Sequence, residues 1–332
     1  MGIDHTSHLV RPSAEYSKRV KSIRTSGRID WERLVRRDED RRYVSPRCVS
    51  GPWVVRALVA VATSIAAGGC GGSSSPTTPT TVTPPVPTTP GRHDVTLQGA
   101  GVTLGGYLFI PNAPGPSPAL IVLHGWQPAG TNGAALVEAR ARRYAEDGYV
   151  ALALSLRGWP PSGGVDDCAL RQPEDVAAAV SWLRTLPGVL ADRIGLVGFS
   201  QGGQVALLTA SRDPRLRGVL AYYPVTDVAS WKTTTTNTDI PGYIAAVCEP
   251  GGVSARSPVT RADAIAAPVL LVHGDADTRV PTAQSVMMHA ALRSAGGTSE
   301  LMLVPGAQHG FTAAEEAVVR PVADSFLASR LR

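Results

Sequence analysis

Ile194-Gly195-Leu196-Val197-Gly198-Phe199-Ser200-Gln201-Gly202-Gly203 is the stretch that decides the fold of this 332-residue chain. Its first half is an apolar run of strand length, suited to a strand buried on both faces. The residues from Gln201 to Ser211 read as a helix. Between the two, Gly198 and Gly202 let the backbone turn sharply and let the helix pack against the strand, and Gly203 adds room beside it. A Gly-x-Ser-x-Gly turn alone is a weak signal in a chain with 34 glycines. A buried strand before it and a helix after it make it specific, because that context lifts the serine hydroxyl onto the end of a sheet.

Outward from this turn, strand and helix signals alternate. Val102-Thr103-Leu104 and Tyr107-Leu108-Phe109-Ile110 read as two early, partly antiparallel strands around Gly105-Gly106. Ala119-Leu120-Ile121-Val122-Leu123 is a continuous apolar run ending in His124-Gly125. A helix is expected over 134–147 and a buried strand over 150–154. Pro173-Glu174-Asp175 opens a helix carrying Val176, Val180 and Leu183, with proline favourably placed in the first turn. Further strands are expected near 217–222, 268–272 and 300–304, and helices near 282–295 and 313–330. This order predicts an α/β class fold: a mostly parallel, doubly wound sheet flanked by helices. The pattern lapses over 223–264, where Thr233-Thr234-Thr235-Thr236-Asn237, Pro241-Gly242 and Pro250-Gly251-Gly252 interrupt it. That stretch is expected to be an inserted cap or loop on the substrate side.

A serine hydroxyl is a poor nucleophile at neutral pH and needs a histidine base oriented by a buried carboxylate. Two further stretches supply candidates. His273-Gly274-Asp275-Ala276-Asp277 follows the apolar run Val269–Val272, and Gln308-His309-Gly310-Phe311 follows Leu301–Val304. Ser200, Asp277 and His309 then stand 77 and 32 residues apart along the chain. Asp275 competes with Asp277; the spacing His-Gly-x-x-Asp-x-x-Val-Pro favours Asp277 and leaves Asp275 to cap the turn. His309 is flanked by Gly306 and Gly310, which leave space for an exposed imidazole. His124 and His273 read as turn residues at strand ends. An oxyanion needs two N–H donors aimed at one point, each worth about 3–4 kcal/mol when lost in another serine hydrolase. The amide of Gln201 is one candidate and that of Trp126 the other. Trp126 and Trp159 are candidates either for pocket walls or for core packing.

The order Ser…Asp…His is that of the α/β-hydrolases. From about Leu97 to Leu331 the chain resembles their dienelactone hydrolase and prolyl-oligopeptidase-like branch. Ser257-Pro258-Val259-Thr260 ahead of Ala267-Pro268-Val269-Leu270-Leu271-Val272-His273-Gly274 resembles the peptidase side, as does Arg157-Gly158 after the strand ending near Ser155. Dienelactone hydrolases proper carry cysteine where Ser200 stands, and the oligopeptidases carry an N-terminal propeller of several hundred residues that is not expected here. The resemblance implies the α/β-hydrolase fold and a serine hydrolase acting on small-molecule esters through an acyl-enzyme. A small-peptide peptidase or amidase is the alternative, and a non-catalytic binding protein on the same fold is a third reading. No cofactor and no metal are expected.

The formal charge of +5 sits unevenly. Residues 1–56 carry a net +6 and residues 93–332 a net −2. With no basic stripe in the globular part, no nucleic-acid partner is expected. Ala57–Ala67 (ALVAVATSIAA) follows Arg56 and suits the apolar core of a signal peptide. Ala67-Gly68-Gly69-Cys70 then resembles a bacterial lipoprotein signal, which implies cleavage before Cys70 and a lipid anchor on its thiol. Residues 1–70 are thus an expected N-terminal extension plus signal, with translation expected to start near Val49 or Val54. Residues 71–92, rich in Ser, Thr and Pro, form an expected tether, and 93–332 the catalytic domain. The protein is expected to be exported and held at a membrane through Cys70. In an oxidising compartment Cys168 and Cys248 are expected to form a disulfide, two separate thiols being the alternative. A bond would close a loop worth on the order of 4 kcal/mol in the chain-entropy model.

Overall fold

The computed structural model describes residues 87–332. The signal-like run, Cys70 and most of the expected tether lie outside the described residues. Eight strands form one sheet: β1 (Gly91–Gln98), β2 (Thr103–Ile110), β3 (Ser117–Leu123), β4 (Val150–Leu154), β5 (Val189–Phe199), β6 (Gly218–Tyr222), β7 (Val269–Gly274) and β8 (Ser299–Val304). Their spatial order is β1-β2-β4-β3-β5-β6-β7-β8. The β1–β2 and β2–β4 pairs are antiparallel and the remaining pairs parallel.

Apolar residues on both sides of each central strand require a layer on each face. Along β3, Ala119, Ile121 and Leu123 join one core and Leu120 and Val122 the other, the two-residue period of a pleated strand. The first core is closed by α2 (Gln172–Arg184), α3 (Gln201–Ala210) and α6 (Ala283–Ser294). The second is closed by α1 (Gly133–Glu146) and α7 (Ala313–Leu331). Asn132 caps α1 by accepting from the Ala135 N–H, and Thr312 with Glu315 forms a capping box on α7. This is the α/β-hydrolase fold.

Two early readings need correction. Gly105 and Gly106 do not separate two strands; β2 runs through both. A Cβ on Gly106 would lie 2.4 Å from the Ala153 carbonyl oxygen, and one on Gly105 would lie 2.7 Å from the Pro161 ring. The pair thus serves close approach between neighbours and not a turn. The sequence reading also missed β1, which pairs with all of β2 and begins at Gly91, within the stretch assigned to the tether. Its signal is the weak alternation Val95, Leu97 between polar residues, with only those two buried.

Residues 223–264 hold short helices, α4 (Val228–Thr234) and α5 (Ile240–Tyr243), then single helical turns. They build a small apolar cluster from Val228, Trp231, Ile240, Ile244 and Cys248 with Cys168 and Val280. A disulfide joins Cys168 to Cys248 across 80 residues.

Candidate active site

β3 and β5 are neighbours, and the chain leaves them toward opposite edges of the sheet. A crevice therefore opens beyond their C-terminal ends, where open α/β sheets bind ligands. Ser200 stands at that point, between β5 and α3. Its backbone, at φ 53° and ψ −116°, lies in a region that L-residues rarely occupy. The surroundings enforce it. A Cβ on Gly198 would meet the Gly202 carbonyl oxygen at 2.2 Å, and one on Gly202 would meet those of Leu123 and His124 at 2.4 and 2.5 Å. The Ser200 N–H donates to the Tyr222 carbonyl at 2.9 Å, which ties the turn to β6.

The structure brings the three residues singled out in the sequence together. His309 Nε2 lies 3.0 Å from Ser200 Oγ, and His309 Nδ1 lies 2.7 Å from Asp277 Oδ2. A carboxylate can only accept, so Nδ1 carries the hydrogen and the Nε2 lone pair faces the serine hydroxyl. Asp277 Oδ1 accepts from the Arg279 and Val280 N–H groups, both at 2.9 Å. Burial alone would raise the Asp277 pKa. The hydrogen bonds from His273 and His309, the His309 charge and the Val280 N–H outweigh that and hold it well below the usual carboxylate range. Asp275 accepts from the Gly306 N–H at 2.6 Å and caps its turn.

His273 does more than end a strand. It is fully buried, with Nε2 2.8 Å from the Val280 carbonyl oxygen and Nδ1 2.7 Å from Ser285 Oγ. The carbonyl requires the hydrogen on Nε2, which also points to Asp277 Oδ2 at 3.3 Å. Tyr223, at φ 38°, lays its ring 4.7 Å from that of His309. Neither contact is legible in the sequence, although His273 lies in the same short motif as Asp277.

Gln201 opens α3, so its N–H is one of the donors that a helix start leaves without an intrahelical partner. The Gly125–Trp126 backbone passes close by: a Cβ on Gly125 would lie 3.1 Å from Ser200 Cβ. His124 fixes that passage. Its Nδ1 donates to the Gly125 carbonyl at 2.8 Å and its Nε2 accepts from the Leu156 N–H at 3.0 Å. Burial lowers its pKa to about 4, against the opposing Gly125 hydrogen bond and Asp166 charge.

A cavity of about 160 Å³ adjoins Ser200, and Trp126 lines it. Trp159 is instead buried in the core, edge-on to His124, with its N–H donated to the Gln127 carbonyl. The inserted segment supplies Trp231, Asp239, Ile240 and Tyr243 to the lining. Asp166, unnoticed in the sequence, connects the parts. It accepts from Gln201 Nε2 at 2.9 Å, from the Cys168 N–H at 3.0 Å and from the Tyr243 hydroxyl at 2.8 Å.

The prolyl oligopeptidase family model matches residues 139–327. A putative carboxymethylenebutenolidase of Synechocystis is 27% identical over 233 residues, covering 65% of this chain and 85% of that protein. A puromycin-hydrolysing peptidase of Mycobacterium tuberculosis superposes with a TM-score of 0.64 at 21% identity over 72% of this chain. The match spans 39% of that longer peptidase. Acetyl xylan esterase 1 from Thermoanaerobacterium superposes with a TM-score of 0.58 at 19% identity, covering 73% of this chain and 84% of the esterase. At these identities the superpositions speak for the fold alone.

Proposed function

The chain belongs to the prolyl oligopeptidase family of α/β-hydrolases, and from that premise we propose that it is a serine carboxylic-ester hydrolase working through Ser200, His309 and Asp277. The observation that carries the reading is the hydrogen-bonded series Ser200 Oγ, His309, Asp277, at 3.0 and 2.7 Å, on a strained turn. His309 Nε2 takes the hydroxyl proton as Ser200 attacks the ester carbonyl. The N–H groups of Gln201 and Trp126 receive the oxyanion. Asp277 holds the imidazole tautomer and stabilises the imidazolium. The alcohol leaves with the proton from His309, and water releases the acyl group by the same relay.

A p-nitrophenyl ester assay on the full chain tests this. Activity is expected to fall at least about 10⁴-fold in Ser200→Ala; activity kept by that variant would overturn the assignment. The family name favours amide bonds as a second reading. A peptidase that grips a free amine would want paired acids, and the cavity lining includes Asp239 as its acidic residue. A matched p-nitrophenyl ester and p-nitroanilide of one acid discriminate the two.

The proposal extends to location on sequence grounds: export directed by 57–67, and anchoring by a lipid on Cys70. Cys70→Ser should move the protein from the detergent phase to the aqueous phase. Unchanged partition would remove the anchor.

A further inference from the structure

The cavity beside Ser200 also constrains what the enzyme acylates on itself, provided that Ser200 is the nucleophile. Ser200, Gln201 and Trp126 line it, and His309 is not among the described residues that do. The leaving alcohol must take its proton from His309 Nε2, so it belongs on the histidine side. The cavity, reached from the serine and the two candidate oxyanion donors, is left for the acyl portion.

Its size and chemistry are both restrictive. At about 160 Å³ it is close to the roughly 150 Å³ apolar cavity that holds one benzene molecule in another protein. Three aromatic rings surround it. The Trp126 and Tyr243 centroids are 5.7 Å apart and those of Trp231 and Tyr243 6.5 Å apart, each pair inclined at 65°. Ile240, Val225 and Cys168 add apolar lining. Four polar tips of the lining are already used elsewhere. Trp231 Nε1 donates to the Arg279 carbonyl at 2.8 Å, the Tyr243 hydroxyl to Asp166 at 2.8 Å and Gln204 Nε2 to the Arg256 carbonyl at 2.7 Å. Gln201 Nε2 donates to Asp166 and to Gln172 Oε1, while its buried Oε1 has no partner among the described residues. The lining is therefore largely aromatic and aliphatic. Two charged residues also line it: Asp239, which is exposed, and Arg279, which is half-buried with its guanidinium 5.8 Å from the centre of the Trp126 ring.

We infer that the preferred substrates are esters of compact apolar acids, of about the bulk of one aromatic ring, such as arylacetic acids. Long fatty acyl chains exceed the volume, and polyhydroxylated acyl groups would lose their hydration for few partners in return. Aromatic guests gain from edge-to-face contact with Trp126, Trp231 and Tyr243.

The test compares kcat/KM for the p-nitrophenyl esters of acetic, phenylacetic, decanoic and gluconic acids, each divided by its hydroxide-catalysed rate. Phenylacetate is expected to exceed each of the others by about tenfold or more, and Trp231→Ala to erase that preference. If Trp231→Ala does not fold, Ile240→Ala takes its place, and the wild-type profile already decides. A flat profile, or a maximum at decanoate or gluconate, overturns the inference while leaving the ester hydrolase reading intact. If no ester is hydrolysed, that reading fails, and binding of phenylacetamide to the full chain by calorimetry judges the cavity separately. Binding that Trp231→Ala abolishes supports a compact aromatic guest, and no binding overturns it.

Discussion

Around Ser200 the chain is fixed by main chain against main chain, whereas over residues 223–264 it is fixed by side chains and a disulfide. Gly198 and Gly202 have carbonyl oxygens where a Cβ would go, so the turn has no other arrangement available. The inserted segment relies on Trp231, Ile240 and Ile244 packed with the Cys168–Cys248 bridge, and on the Tyr243 hydroxyl reaching Asp166. The first region leaves the Ser200 backbone little freedom, which suits a positioned nucleophile. The second shapes a cavity, and its side chains can change without disturbing the turn.

The largest expected effect would break that comparison on the catalytic side. In Asp277→Asn the amide would donate toward His309 Nδ1 and force the hydrogen onto Nε2, which then cannot take a proton from Ser200. A loss of about 10⁴-fold in kcat is expected, with the circular dichroism of the folded protein unchanged. A loss below tenfold would show that Asp277 does not orient the histidine.

The same contrast explains what the sequence made legible. Ser200, Asp277 and His309 each sit in a short motif directly after a buried strand, and strands buried on both faces are legible as apolar runs. Even Asp275 and Asp277 separate by spacing alone, the first capping a turn and the second meeting His309. Contacts between distant segments leave no such trace. Gly105-Gly106 resembles a turn until Ala153 and Pro161 are set against it. Asp166 and Tyr243 lie 77 residues apart and neither carries a motif. β1 escaped notice because an edge strand with two buried residues offers little apolar signal. The candidate triad was therefore readable ahead of the cavity beside it.

The next effect in size probes the inserted segment. Replacing Cys168 and Cys248 together by serine should lower unfolding stability by about 2–5 kcal/mol, measured as a reduced urea midpoint. The fall in kcat should be far smaller than that of Asp277→Asn, because the bridge touches the cavity wall and not the Ser200–His309 pair. Stability equal to wild type would mean that packing alone holds the segment.

The smallest effect sharpens the other side, because part of the framework of the candidate site is bound to pH and the bridge is not. His124 is buried and neutral, with a pKa of about 4 in the folded protein, against about 6.5 in the unfolded chain. Between these values the unfolded chain binds a proton that the folded protein refuses. Stability is therefore complete above about pH 6.5, falls as pH drops toward 4, and loses nothing more from this group below that. The full loss is about 3 kcal/mol, an order-of-magnitude figure. His124→Gln retains an acceptor for the Leu156 N–H without the titration. The variant should be less stable than wild type at pH 7, and the gap should narrow by pH 4.5 as wild type alone pays for protonation. Urea unfolding of both proteins at the two pH values measures this. Parallel losses would mean that His124 is not excluded from protonation, and that the backbone holding Trp126 beside Ser200 owes nothing to a neutral imidazole.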